Sequence, residues 1–161
     1  MILRVVLAIA FLYNYGRIDA QPMHSASKMY AFRLKPHEDL KKSVLQFARD
    51  HSIKAGAIVT CVGSLEQFHL RFANQKSGTK KSGHFEIVSC TGTFSDDGTA
   101  HLHVSVSDST GNTIGGHLMD ESLIYTTAEI VIAELSDLQF ERVPDPTYGY
   151  PELRVSPRKQ N

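Results

Sequence analysis

The sequence has no tryptophan, only two cysteines and no net charge. It also lacks an apolar run long enough to cross a bilayer as a stable helix, and each absence narrows what the chain can be. Lysine plus arginine and aspartate plus glutamate both number 17, so no overall field draws the protein to nucleic acid or an anionic surface. Two cysteines cannot build the dense disulfide framework of a small secreted domain. Cys61 and Cys90 lie in IVTCVG and EIVSCTG, apolar strand-like contexts that suit buried thiols, with a disulfide between them as the alternative. There is no internal repeat, P-loop or dinucleotide fingerprint. At 161 residues the chain is sized for one domain with a real core. What it does have is histidine, eight in all, and histidine is the commonest metal ligand.

The first stretch, MILRVVLAIAFLYNYGRIDAQ, carries an early Arg4, an apolar run from Val5 to Tyr13, and Ala20 before Gln21. It reads as a targeting segment, with a secretory signal cleaved after Ala20 as the first reading. Ile18 stands where a small residue is commoner. Arg4 and Arg17 with no acid before Asp19 also fit a mitochondrial presequence, and a start at Met23 or Met29 would give a cytosolic form. Residues 1–27 are therefore set apart from the folded domain, which would then have no membrane span.

From Lys28 the pattern is that of an α+β domain. Tyr30, Phe32 and Leu34 alternate as on a strand. Pro36, His37, Glu38 and Asp39 suit the first turn of a helix, and Leu40, Val44, Phe47 and Ala48 continue it at helical spacing to about Ser52. AIVTCVG and LEQFHLRFA read as strands, with His69 turned away from Phe68, Leu70 and Phe72. NQKSGTKKSG reads as a polar loop, whose Lys76, Lys80 and Lys81, with neighbouring Arg71, form a solvated basic patch able to meet phosphate. HFEIVSCTGTF, AHLHVSVSD, TIGGHL and LIYTTAEIVIAEL follow as strands, and LQFERV closes the sheet. The expected architecture is a mixed, largely antiparallel sheet with one flanking amphipathic helix. The domain is placed at 28–153, and 154–161 is read as a disordered tail.

His101 and His103 stand two apart on a strand, so they share a face with roots about 7 Å apart. H-x-H alone is a weak signal. If STGN closes a hairpin centred near Thr110, however, His117 comes opposite His103 to within one residue. Gly115 and Gly116 strip side chains from the approach, as expected where a backbone bends or lies close to a ligand. Three neutral imidazoles suit zinc or another divalent transition metal and leave a coordination position for water or substrate.

The series RLKPHEDL, KAGAIVTCVGSL, GHFEIVSCTGTF, HLHVSVSD, GNTIGGHL and YTTAEIVIAEL, in this order, resembles the plants-and-prokaryotes-conserved (PPC) domain from about Lys28 to Leu153. His37 departs from it, since the family more often has glycine in that turn. The resemblance implies a mixed-sheet domain that assembles as a homotrimer, with metal held by His101, His103 and His117. It also implies an architecture similar to acetolactate decarboxylase, a zinc protein, which is an analogy of fold. Plant members add an AT-hook with an Arg-Gly-Arg-Pro core, and their GRFEI-like element corresponds to Gly83–Ile87. That core does not occur in this sequence.

Three functions follow as expectations. The first is a zinc-dependent lyase or hydrolase acting on a small molecule, with the metal as Lewis acid. Glu129 is its first candidate for general acid or base and Glu86 the second, though each suits a structural strand carboxylate as well. Gly63 and Ser64 could line its pocket or simply end a strand. The second is a non-catalytic trimeric binding or scaffold module. The third, DNA binding, is disfavoured by the balanced charge and the missing AT-hook.

Overall fold

The computed structural model describes residues 22–159. Most of the targeting segment, including the cleavage position after Ala20, lies outside the described residues, while Ser27 already opens the first strand. Eight strands and one helix follow in order. They are β1 (Ser27–Leu34), α1 (Leu40–Asp50), β2 (Gly56–Arg71), β3 (Thr79–Phe94), β4 (Ala100–Ser107), β5 (Thr113–Leu118), β6 (Leu123–Leu135), β7 (Leu138–Pro144) and β8 (Pro151–Pro157). No helix among the described residues is long and apolar enough to cross a membrane.

The helix begins later than the proline suggested. Asp39 is its N-cap, its carboxylate accepting from the Lys42 N–H at 3.0 Å, so Pro36–Glu38 form a turn ahead of the helix. His37 takes φ 69° in that turn, a left-handed backbone conformation that glycine adopts at least cost. Leu40, Val44, Leu45 and Ala48 are buried against the sheet, and Phe47 stacks on Phe32 of β1 with ring centroids 4.3 Å apart.

The main sheet runs β1-β6-β2-β3-β4-β5, and β5 then returns to pair with the end of β2 through Leu70↔Leu118 and Arg71↔His117. Strands β2 to β5 thus close on themselves, and β6 and β1 continue the sheet on the other side of β2. Every pairing among the described residues is antiparallel, as expected for most of a mixed, largely antiparallel sheet, and no parallel pair is found among them. The reason is connectivity: tight turns link most successive strands, and the single helix carries the chain from β1 past β6 to β2. β2 and β3, of 16 residues each, also absorb what read as loop. Thr79–Ser82 pair with Gln67–Leu70, so the second half of NQKSGTKKSG is strand.

The core lies under these strands, with Phe68, Phe94, Leu65, Leu102, Ile130 and Ile132 at most 2% exposed. Two expectations about the C-terminus fail. LQFERV does not close the main sheet; β7 pairs with β8 in a separate two-stranded sheet over a small cluster of Ala55, Leu138 and Phe140. Residues 154–157, read as tail, belong to β8. Its prolines stand at the strand ends, where they remove no ladder hydrogen bond, and so do not prevent pairing. Arg158 follows and donates to Glu134, a carboxylate only 3% exposed that also accepts from the Tyr30 hydroxyl at 2.9 Å. Cys61 and Cys90 are buried free thiols, the Cys61 group pushed up by its hydrogen bond with Cys90 and by burial.

Candidate metal centre

The β4–β5 hairpin has the register its symmetry about Thr110 requires: His103 lies directly opposite His117. Its turn is built by Asp108, whose carboxylate accepts from the backbone N–H groups of Thr110 and Asn112. Leu102, Val104 and Leu118 point into the core, so strand alternation turns His101, His103 and His117 to the other face. One candidate ligand atom from each of the three lies within 4.8 Å of the others. The ring centroids stand 4.9 to 5.6 Å apart. His101 and His103 approach to 3.1 Å between their Nε2 atoms.

Close backbone approach explains the glycines. A Cβ on Gly116 would stand 2.8 Å from the carbonyl oxygen of Arg71, and one on Gly115 would stand 3.0 Å from that of Val104. Only glycine lets β5 lie between β4 and β2 at this point without pushing one of them away. Because opposed residues of an antiparallel pair share a face, the pairings place four side chains in one row across four strands. The row is Arg71 on β2, His117 on β5, His103 on β4 and Thr91 on β3. Thr93 similarly lies opposite His101 and accepts from the Arg142 guanidinium of β7 at 3.1 Å.

The donors suit a cation. Burial first, then the charge of Arg71, brings the His117 pKa down to about 4, and His101 is lowered by burial and by Arg142. Both rings are therefore neutral near pH 7, with a lone pair to donate. His117 Nδ1 is buried with no hydrogen-bond partner among the described residues, and a buried imidazole nitrogen left so is costly. A divalent metal among three neutral imidazoles fits this set.

Beside the histidines is a cavity of about 500 Å³ lined by Arg71, Ser89, Thr91, His103, Ser105 and His117 among others. Neither Glu129 nor Glu86 lines it. Glu129 is exposed on β6, opposite Arg33 and Val62, because Ala128 and Ile130 on either side point into the core. Glu86 is exposed on β3, opposite Ser64 and Ser107. Ser64 is buried and hydrogen-bonded to the Thr126 hydroxyl at 2.7 Å, and Gly63 is packed against the backbone of Thr127, so neither lines the cavity either. The acid whose charge does reach His101 is Glu152 of β8.

Known proteins share this chain's pattern. A bifunctional protein GlmU from Synechococcus sp. (strain JA-2-3B'a(2-13)) is 44% identical over 140 residues, 86% of this chain. The chain spans 22% of the length of that protein. A solved hypothetical protein from Salmonella enterica is 38% identical with a TM-score of 0.83, covering 85% of this chain and 99% of its own. A metal-containing protein from Archaeoglobus fulgidus is 23% identical with a TM-score of 0.66, covering 81% of this chain and 95% of its own, a likeness of fold. Residues 21–136, which hold the whole six-stranded sheet and all three histidines, match the Plants and Prokaryotes Conserved (PCC) domain. By that match the chain belongs to the Plants and Prokaryotes Conserved (PCC) domain family.

Proposed function

We propose that the domain binds one divalent transition metal, zinc first, through His101, His103 and His117, and presents it to a small molecule in the adjoining cavity. The observation that carries this reading is the convergence of three imidazoles within 4.8 Å, with a buried nitrogen of His117 lacking a partner among the described residues. A metal so held would supply Lewis acidity for a lyase or hydrolase reaction. The chain's own residues supply the rest: Arg71 brings positive charge to the cavity wall, and Ser89, Thr91 and Ser105 bring hydroxyls. Elemental analysis of the purified protein beside the His101→Ala/His103→Ala/His117→Ala variant tests the reading. The expected result is one metal per wild-type chain and none in the variant. A wild type that carries none after expression with zinc refutes it.

A non-catalytic trimeric module is the second reading, favoured by the apolar Val59, Val62 and Val88, all more than half exposed on β2 and β3. Self-association would cover such a surface. Loss of catalysis by His103→Ala with the oligomer intact supports the enzyme, whereas collapse of the oligomer supports the structural role.

A further inference from the structure

We propose that Arg71 is a carboxylate-binding residue of the histidine site, so that the small molecule the domain takes is an organic acid held between Arg71 and the metal. This rests on the three-histidine reading and adds the chemical class of its ligand. The geometry comes first. Arg71 and His117 are opposed partners on adjacent antiparallel strands, so their side chains leave the same face from neighbouring roots. Both border the one cavity, as does His103.

Arg71 is also free to bind. Among the described residues its guanidinium makes one long hydrogen bond, 3.5 Å to the Gln75 carbonyl. Among the described residues no carboxylate lies within ion-pair reach of it, whereas Lys41, Lys54, Lys80, Arg154 and Arg158 all have acidic partners. The charge around the histidines is unbalanced in the same sense. Arg71, Arg142 and Lys41 bear on them as cations, with Glu152 as the opposing acid. A divalent ion held by these three histidines would add further positive charge with no carboxylate among its ligands, and an anionic ligand would balance it. A guanidinium matches a carboxylate through two parallel N–H···O bonds, which lysine cannot reproduce. The cavity, about 500 Å³, has the size of a small-molecule site, and its Ser89, Thr91 and Ser105 hydroxyls offer partners for the rest of a polar acid.

The test compares glycolate with its neutral isostere glycolamide by calorimetry, on zinc-loaded and on metal-free protein, with metal content measured alongside. Wild type is expected to prefer glycolate. In Arg71→Met the preference falls by about 10- to 100-fold, the range for losing a charge-assisted pair, while zinc stays at one per chain. Arg71→Lys, which keeps charge and loses the fork, falls between. The inference is overturned if wild type shows no preference for the acid, if Arg71→Met keeps the full preference, or if inorganic phosphate binds more tightly than glycolate. Wild type without zinc refutes the metal reading separately, because the comparison on metal-free protein still reports on Arg71.

Discussion

Replacing Gly116 by alanine tests whether the histidine cluster depends on the close seating of β5. The new Cβ would stand 2.8 Å from the Arg71 carbonyl oxygen and 3.4 Å from Cδ1 of Phe72. Both the added methyl and the oxygen belong to backbone-fixed positions, so neither can swing aside. Restoring ordinary contact requires β5 to withdraw from β2 by about 0.6 Å, one residue from His117. Metal–ligand distances tolerate about 0.2 Å, and disturbing the support of a ligand typically weakens binding by 10- to 100-fold. Zinc affinity should therefore fall by at least about tenfold, measured by competition against a chromogenic chelator. The control is Gly111→Ala in the hairpin turn, where φ is 84° and no atom lies within 4 Å of the added Cβ. It should lower the urea-unfolding free energy of metal-free protein by about 1–2 kcal/mol through backbone strain while leaving zinc affinity unchanged. Wild-type affinity in Gly116→Ala, or an equal loss in Gly111→Ala, would refute the reasoning.

Further outcomes follow from the packing and the charges. Arg158→Ala removes an ion-pair partner at 3.0 Å from Glu134, whose side chain is 4% exposed, and should cost about 1–3 kcal/mol in urea unfolding, discounted because Arg158 is itself 34% exposed; adding Glu134→Gln should recover part of it. In metal-free protein His117 should titrate near pH 4 by NMR, and because its folded pKa lies below its unfolded value of 6.5, the unfolded state takes up protons first. Stability from this group is then complete above about pH 6.5 and declines as pH falls towards 4; unfolding midpoints that instead rise as pH falls from 6.5 to 4 in wild type relative to His117→Ala would contradict the assignment. Phe94→Ala, at a side chain 2% exposed, should cost about 3–5 kcal/mol. Gly56→Ala places a Cβ 2.3 Å from the Phe94 ring, so it should be severe alone and milder in the Phe94→Ala background, a coupling that a double-mutant cycle measures.

The histidine cluster was legible because its information is local. A two-residue period puts His101 and His103 on one face, and the symmetry of one short turn brings in His117. The glycines announced the close approach, and the apolar spacing from Leu40 announced the helix, whose start was read too early at Pro36. What could not be read was pairing between distant segments. Arg71 was read on a strand beside a basic loop and not with the histidines, because its partner His117 lies in another hairpin and only the return of β5 to β2 joins them. Glu129 drew attention as a charge among apolar residues, yet the same alternation that buries Ala128 and Ile130 sends it outward. Residues 154–161 read as a tail, whereas 154–157 complete β8, and Pro144, Pro151 and Pro157 only mark the ends of β7 and β8. Glu152, inside the expected domain, was not singled out.

Strand β2 pairs along its length with β6, β3 and β5. No one of these partners can be peeled away to expose it, so its central amides should exchange with solvent deuterium only through global unfolding. Arg71 ends this strand, and His117 is hydrogen-bonded into it. Protection of the candidate centre should therefore track that of the whole domain. Such a site would neither open as a separate unit nor require a bound ion to take shape, and exchange profiles recorded with and without zinc should differ around the histidines far less than a metal-ordered loop would.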